Sequence, residues 1–328
     1  MIKTVRFHEL GAPEVLRLDD LPRPEPGPGE VRIAVEAIGL NRVESMYRRG
    51  EFGAPALPST LGYEAAGTVD AVGEGVTGFH PGDRVATLPG LDMAQYGTCG
   101  EAILYPASML VKVPDEQSMV EAAATWMQYL TAYALVYAGN IARGDHVVIT
   151  AASSSVGLAA IQIANAAGAI PIAVTRGRGK AAALLENGAA HVIVSDEENV
   201  AEAVRGITDG QGARIVFDAV GGQPLAELVT AVAPRGILIL YGALAGEEVT
   251  LALQAVMFHC ITLRGYAAYE LFLDPAVQQS AIDYIYAGLK SGALRPLVDS
   301  TFPLAEIVAA YRHLESNTQF GKIVVTAG

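Results

Sequence analysis

The chain has 328 residues, of which 51% are hydrophobic, and its formal net charge is −13. The acidity argues against nucleic acid or an anionic membrane surface as the main partner, and no apolar run of about 18 residues indicates a membrane span. Two cysteines cannot form a disulfide framework and the first residues carry no signal-peptide pattern, so we expect a cytoplasmic protein.

The first part of the chain is predicted to be β-rich, in a protein long enough for two domains. Pro and Gly residues separate short segments of alternating polarity, such as residues 31–37 and 67–73. Alternation of this kind is typical of strands with one solvated face. We therefore predict a small, mostly antiparallel β-domain that ends near residue 115.

The pattern changes after Pro114. Residues 116–138 are rich in Ala and are predicted to be helical. Beyond them, apolar β-branched runs alternate with helical segments, which predicts a parallel, doubly wound sheet. The predicted strands cover residues 146–150, 170–175, 191–194, 215–218 and 236–240, and the helices cover 158–167 and 180–187. The tail ends in a strand at 322–326, so the parallel unit is inserted into a domain that is split in sequence.

The clearest local motif follows the first of these strands, over Thr150–Ala160. Its small side chains would let backbone N–H groups approach a pyrophosphate at the N-terminus of the next helix. A tight turn with a serine N-cap is the alternative. Only one glycine of a GxGxxG pattern is present, but the position between strand and helix favours the cofactor interpretation. The candidate cofactor-binding residues are Ser153, Ser154, Ser155, Val156 and Gly157.

The end of the second strand indicates which dinucleotide binds. NAD enzymes usually carry an Asp or Glu there for the ribose hydroxyls. This chain has no acid at that point, and Thr175 is followed by Arg176, Arg178 and Lys180. A 2′-phosphate would pair with such cations, which favours NADPH over the alternative of a solvated basic loop.

Two later turns follow the third and fourth strands. Val220, Gly242 and Leu244 lie in them, beyond the carboxyl ends where ligands bind in such sheets. Each turn either contacts the cofactor or simply reverses the chain, and the sequence leaves both alternatives open.

These segments together resemble the medium-chain dehydrogenase/reductase superfamily, and specifically its zinc-free quinone oxidoreductase (zeta-crystallin-like) branch. The resemblance spans nearly the whole chain and rests on residues 11–16 (GAPEVL), 39–44 (GLNRVE), 61–67 (LGYEAAG), 82–85 (GDRV), 130–133 (LTAY) and 320–324 (FGKIV). It implies an α/β protein that forms homodimers and has two domains. The first is a GroES-like β-rich catalytic domain over 1–118 and 264–328. The second, over 119–263, is a Rossmann domain that has a doubly wound parallel sheet and binds NADPH.

The resemblance also bears on metal. Zinc members of the superfamily have a Cys near the position of Asn41 and a His at the position of Tyr63, and this chain has neither. Its six histidines include no pair at metal-binding spacing, so we expect no metal. Without a Lewis acid, an acceptor that spreads charge is favoured. We therefore predict hydride transfer to a quinone; the alternatives are an enone or enal double-bond reductase and a non-catalytic, crystallin-like NADPH-binding protein.

The resemblance implies roles for several side chains. Asn41 would lie beside the nicotinamide, and Thr131 would bind its carboxamide. Glu44 matches an acidic position of the branch or is a solvated surface carboxylate, and Tyr47 is a candidate donor to the substrate oxygen or a core residue. Tyr63, Trp126, Met127 and Tyr129 are candidates to line the acceptor pocket, with plain core as the alternative, and Cys99 and Cys260 are expected to be ordinary apolar residues.

Two positions depart from the branch. Phe52 replaces a Tyr that is the proposed proton donor in related enoyl-thioester reductases, which argues against thioester reduction by that mechanism. Ser195 replaces a Tyr near the 2′-phosphate, which leaves the basic loop to carry the NADPH preference.

Overall fold

The computed structural model of the chain describes residues 1–246 and 248–327. The chain divides into two compact units: Met1–Met127 with the segment from Pro296 onward, and Gln128–Arg295. These limits differ from the predicted boundaries at 118/119 and 263/264. The largest difference arises because the strand Thr262–Gly265 pairs with the parallel sheet, and the helix after it also stays with the second unit.

Strands dominate the first 127 residues. In chain order the elements are β1 (Ile2–Phe7), β2 (Leu16–Leu21), β3 (Glu30–Gly39), α1 (Arg42–Arg49), β4 (Ser59–Thr60), β5 (Glu64–Val72), β6 (Arg84–Thr87), α2 (Met93–Tyr96), β7 (Ala102–Pro106), β8 (Leu110–Lys112) and α3 (Met119–Ala122). β3 pairs antiparallel with both β5 and β7, and β6 pairs antiparallel with β5 and β8. The prediction of a mostly antiparallel β-domain is confirmed.

Strands and helices then alternate. In chain order the elements are α4 (Trp126–Ala132), α5 (Ala134–Tyr137), β9 (His146–Ile149), α6 (Ser155–Ala166), β10 (Ile170–Thr175), α7 (Ala181–Glu186), β11 (His191–Val194), α8 (Val200–Ile207), β12 (Ala213–Asp218), α9 (Pro224–Ala231), β13 (Val232–Leu240), α10 (Leu253–Phe258), β14 (Thr262–Gly265) and α11 (Pro275–Ser291). None of the helices in the described residues combines the length and apolar character needed to cross a bilayer.

The end of the chain returns to the first unit with β15 (Val298–Pro303), α12 (Ile307–Ser316) and β16 (Lys322–Thr326). β16 pairs antiparallel with β3 and parallel with β15. The larger sheet of this unit has the order β15-β16-β3-β5-β6-β8, with β7 also on β3, and a smaller sheet has the order β2-β1-β4. The two parts of the split domain are therefore joined in one sheet, in which β16 pairs with β3, the strand that precedes Asn41.

The second unit contains a parallel sheet of order β11-β10-β9-β12-β13-β14. The chain winds outward from β9 in one direction and then from β12 in the other, which is the doubly wound Rossmann order. The interior is apolar and fully buried at Val148, Ile172, Val216 and Leu238. Since all six strands run the same way, the turns after β9, β10, β12 and β13 meet at one edge, which is the ligand edge of such sheets.

The helical character predicted for 116–138 is found, but it is divided among α3, α4 and α5. Thr125 lies between the first two, and its hydroxyl donates to the carbonyl of Glu121. The break gives α4 its own N-terminus, whose N–H groups have no intrahelical acceptor. One of them, from Met127, donates to the buried carboxylate of Glu64 at 3.0 Å.

Candidate functional site

Asn41 follows β3 and is the N-cap residue of α1. Its backbone N–H donates to Glu44 Oε2 at 3.0 Å, and its side-chain amide donates to the Gly39 carbonyl at 3.0 Å and to Glu44 Oε1 at 3.1 Å. The amide oxygen accepts from Lys322 Nζ at 2.7 Å. Every polar atom of this side chain is therefore engaged, which holds the buried Asn41 in one orientation.

Glu44 is fully buried, so the alternative of a solvated surface carboxylate is wrong. Besides the donors of Asn41, it accepts the N–H of Tyr63 at 3.1 Å and the hydroxyl of Tyr311 at 2.7 Å. Burial raises the pKa of Glu44, against the lowering effect of the hydrogen bonds from Tyr311 and Asn41. The carboxylate links α1, α12 and the turn before β5.

A buried ion pair lies beside Asn41. Lys322 and Glu64 have side chains that are 1% and 0% exposed, and Lys322 Nζ lies 2.6 Å from Glu64 Oε2. Gly39 provides the space, because a Cβ there would lie 2.7 Å from Lys322 Cε and 2.9 Å from Glu64 Oε2. Sequence reasoning missed this pair. The sequence offered one indication of it, since Lys322 begins a strand whose next residues are apolar.

The first unit also has a pocket of about 320 Å³ beside α1. Two of the candidate site residues, Tyr47 and Tyr63, contribute to its wall. The lining residues are Tyr47, Phe52, Gly53, Ala54, Ala56, Tyr63, Asp92, Met93 and Ala94. The size lies at the lower end of the range for small-molecule sites, and three aromatic rings suit a flat ligand.

The two pocket tyrosines differ in their hydroxyl groups. Tyr47 hydrogen bonds to Ser59 Oγ at 3.0 Å, and its ring packs edge-on against Phe7. The phenol of Tyr63 makes no hydrogen bond to another residue in the described part of the chain. Burial, with the negative charge of Glu44 nearby, raises the pKa of Tyr63 to about 12. The Tyr63 phenol therefore stays protonated at neutral pH and is available as a donor.

The other aromatic candidates and the two cysteines differ in their burial. Trp126 and Tyr129 are buried, as the core alternative predicted, and Tyr129 donates its hydroxyl to Gln162 Oε1 at 2.6 Å. Cys99 is buried, and burial raises its pKa well above the usual value for a thiol. Cys260 is exposed. Among residues 1–246 and 248–327, no three His, Cys, Asp or Glu side chains are grouped so that they could hold a metal ion.

In the second unit, the predicted strand–turn–helix around Gly157 is confirmed. Ser154 is the N-cap of α6 and accepts the N–H of Gly157 at 3.1 Å. Ser155 and Val156 begin the helix, where backbone donors have no intrahelical acceptor and an anion can bind. An added Cβ at Gly157 would lie 2.6 Å from Ala152 Cα, so glycine is needed where the helix meets its loop.

The basic loop after β10 contacts this turn. Lys180 Nζ donates to Ser153 Oγ at 3.2 Å, which brings two predicted cofactor residues together. Arg176 is exposed, and Thr175 is buried at the end of the strand. Arg178 instead forms an ion pair with Glu197, a partner that the sequence did not indicate.

The turns after β12 and β13 are tied to each other and to β9. Asp218 is fully buried and accepts the Thr150 hydroxyl at 2.6 Å and the N–H of Val220 at 3.1 Å. The N–H of Leu244 donates to the Ala219 carbonyl at 3.2 Å. The structure thus places Val220, Gly242 and Leu244 at the edge that carries the α6 N-terminus. Thr131 lies separately in α4 and is 9% exposed.

Two protein families match the chain. Residues 27–115 match the family described as "Alcohol dehydrogenase GroES-like domain", and residues 155–285 match the one described as "Zinc-binding dehydrogenase". The segment that matches the second family carries Cys260 as its single cysteine.

Whole-length relatives and a solved structure are also similar to it. A quinone oxidoreductase of Pseudomonas aeruginosa is 35% identical over 332 residues, with 99% of each chain covered. A 2-haloacrylate reductase of a Burkholderia species is 32% identical over 336 residues, again with 99% of each covered. The solved structure of Escherichia coli quinone oxidoreductase complexed with NADPH superimposes with a TM-score of 0.92 at 28% identity, covering 99% of this chain and all of that one.

Proposed function

Because the chain belongs to the zinc-free quinone oxidoreductase branch of the medium-chain dehydrogenase/reductase superfamily, we propose that it reduces quinones or similar conjugated carbonyl compounds without a metal ion. The chain is an NADPH-dependent oxidoreductase. The observation that carries the acceptor class is the pocket beside α1, with its aromatic walls and a protonated Tyr63.

The turn of the second unit fits a dinucleotide phosphate. The first-turn N–H groups of Ser155 and Val156 would bind the pyrophosphate, and Gly157 lets the helix approach closely. Arg176 and Lys180 would bind the 2′-phosphate. Bound NADPH supplies the hydride for the reduction.

The pocket residues support a reaction without a metal ion. In a quinone or enone, hydride addition moves negative charge to a remote oxygen, which a hydrogen-bond donor can stabilise. Tyr63 occupies the position of the zinc ligand in zinc members of the superfamily, and its phenol is the candidate donor. The aromatic rings of Tyr47 and Phe52 would hold a flat acceptor and exclude water. Asn41 would orient the nicotinamide, with Glu44 holding Asn41 in place.

The alternative acceptor is an enone or enal, reduced at its carbon–carbon double bond. The similarity to a 2-haloacrylate reductase favours this second candidate, since that name describes reduction of a conjugated double bond. The two activities differ in product. A quinone gives a hydroquinone, and an enone gives a saturated ketone.

The test is oxidation of NADPH by the wild-type protein in excess chelator, against naphthoquinones, enones and saturated aldehydes, with NADH as comparison. We expect turnover with quinones, little with saturated aldehydes, and no loss on chelation. Activity that disappears on chelation and returns with zinc would overturn the metal-free mechanism. A stable NADPH complex with no turnover on any acceptor would support the non-catalytic alternative.

We further propose a cytoplasmic homodimer. Strand β14 lies at the edge of the parallel sheet, and large apolar side chains near it are exposed, at Leu253, Met257, Phe258 and Leu263. A sheet edge with such a patch favours pairing with a second copy. Both cysteines are free thiols. Light scattering coupled to size exclusion tests the dimer, and Phe258→Asp should shift it towards monomer.

A further inference from the structure

The basic loop of the coenzyme site already contains an anionic partner. Arg178 Nε lies 3.1 Å from Glu197 Oε1, and its second nitrogen donates to the other carboxylate oxygen, so the pairing is bidentate. The neighbouring Arg176 has no hydrogen bond or ion pair from its guanidinium to any other described residue, and Lys180 reaches Ser153. One of the three cations predicted to bind the 2′-phosphate is therefore engaged by a carboxylate.

The parallel sheet brings this pair together. Strands β10 and β11 are neighbours, and Thr175 pairs with Val194 at their carboxyl ends. Backbone bonds continue beyond the strands, from the Ser195 N–H to the Thr175 carbonyl at 2.9 Å and from the Asp196 N–H to the Arg176 carbonyl at 3.1 Å. The loop after β11 consequently runs beside the basic loop.

The carboxylate is also held in place on its own loop. The N–H of Glu197 donates to the Val194 carbonyl at 2.9 Å, and the side chain of Glu198 accepts the Val194 N–H at 3.0 Å. These two bonds fold the start of the loop into a tight turn. Glu197 therefore meets Arg178 from a fixed backbone position.

Resting on the proposed function, we propose that Glu197 is a coenzyme-specificity residue whose carboxylate competes with the 2′-phosphate of NADPH for Arg178. Glu197 occupies Nε and one terminal nitrogen of the Arg178 guanidinium, so this face cannot bind the phosphate while the carboxylate is there, and the carboxylate charge repels a phosphate at the remaining donors. The side chains of Arg178 and Glu197 are 76% and 41% exposed, so the pair is screened by solvent and can be displaced. The preference for NADPH over NADH then depends mainly on Arg176 and Lys180, and Glu197 makes this preference smaller than it would otherwise be.

Binding of coenzyme fragments to the full-length protein tests this without requiring turnover. In Glu197→Gln, the Kd of adenosine 2′,5′-bisphosphate and of NADPH should fall about threefold, which corresponds to one exposed ion pair. The Kd of 5′-AMP and of NADH should not change. The matched control is Glu186→Gln, which makes the same change of charge at an exposed position of α7 and should leave all four values unchanged.

A double-variant cycle assigns the effect to Arg178. Arg178→Ala should weaken NADPH binding less in the wild-type background than in Glu197→Gln, where the guanidinium is released. The proposal is overturned if the two losses are equal, if Glu197→Gln tightens NADH as much as NADPH, or if it weakens NADPH. Those results would leave the proposed function intact. Two other results would contradict the coenzyme assignment itself. One is a wild-type protein that does not bind NADPH, and the other is an Arg176→Ala variant that binds NADPH as tightly as wild type.

Discussion

The ammonium nitrogen of Lys322 lies 2.7 Å from the amide oxygen of Asn41, although 281 residues separate them in sequence. The same nitrogen lies 2.6 Å from Glu64. Pairing of β16 with β3 makes this contact possible, since Val324 lies opposite Gly39. The last strand of the chain thus orients a candidate catalytic residue near its beginning.

Replacing Lys322 by Met should destabilise the protein, because Glu64 would remain as a buried carboxylate without its cation. Breaking one partner of a buried pair typically costs about 3 to 5 kcal/mol. Urea unfolding would measure the loss. Lys290→Met, at an exposed position of α11, is the control and should be near neutral.

The double variant Lys322→Met with Glu64→Met separates the charge effect from packing. If the single loss comes from an unpaired charge, the double variant should recover most of it, because apolar replacement of a buried pair is often near neutral. A single variant as stable as wild type would contradict the structural role of the pair.

Gly157→Ala should weaken NADPH binding by about tenfold, which corresponds to about 1.4 kcal/mol. The added methyl group would lie 2.6 Å from Ala152 Cα and from its carbonyl oxygen, so the turn proposed to bind phosphate must shift. Titration of NADPH fluorescence measures the Kd. Gly206→Ala in α8 is the matched control, since its methyl group would meet no atom within 4 Å. Equal affinities for the two variants would show that the turn does not bind the coenzyme.

Tyr63→Phe should lower kcat for quinone reduction by about tenfold or more, because the variant removes a donor to developing negative charge. The change in KM should be smaller, since the aromatic ring is retained. Tyr269→Phe, at an exposed position, should have no effect. Because the pKa of Tyr63 is raised to about 12, wild-type kcat should show no tyrosine-linked loss below about pH 10. An unchanged kcat in Tyr63→Phe would remove the phenol from the mechanism.

Glu44 should make stability depend on pH in a direction opposite to that of a paired surface carboxylate. Burial raises its pKa in the folded protein above the ordinary value of 4.5. At pH values between 4.5 and the pKa of the folded protein, the folded state therefore binds more protons than the unfolded state. The free energy of unfolding then falls as pH rises through this window. Glu44→Gln should remove that part of the slope.

The measurement for Glu44 is the free energy of unfolding at several pH values, compared as a slope rather than at one pH. Glu186→Gln, which removes an exposed carboxylate, is the control for the loss of one carboxyl group. If Glu44→Gln has the wild-type slope, the carboxyl group of Glu44 titrates alike in folded and unfolded protein.

Much of the second unit follows from local patterns. The strand at 170–175 and the one at 191–194 are found at the predicted residues, and the turn at Ser153–Gly157 joins a strand to a helix as predicted. Such features depend on β-branched runs, on an N-cap serine and on a glycine at a close contact, and neighbours in sequence determine all three. The helical character predicted for 116–138 is found, but the segment is divided into three helices, and Ala-rich composition gives no sign of the break at which the N–H of Met127 donates to the buried Glu64.

The amino-acid sequence by itself determined the two-domain α/β class, the position of the strand–turn–helix proposed to bind phosphate, and the set of candidate side chains. Tertiary structure alone decided how they are used. Glu44 is buried and accepts hydrogen bonds from several elements, Lys322 contacts Asn41, and Arg178 pairs with Glu197. Each of these depends on which strands are neighbours in a sheet, and strand pairing brings together charges whose separation in sequence carries no local signal.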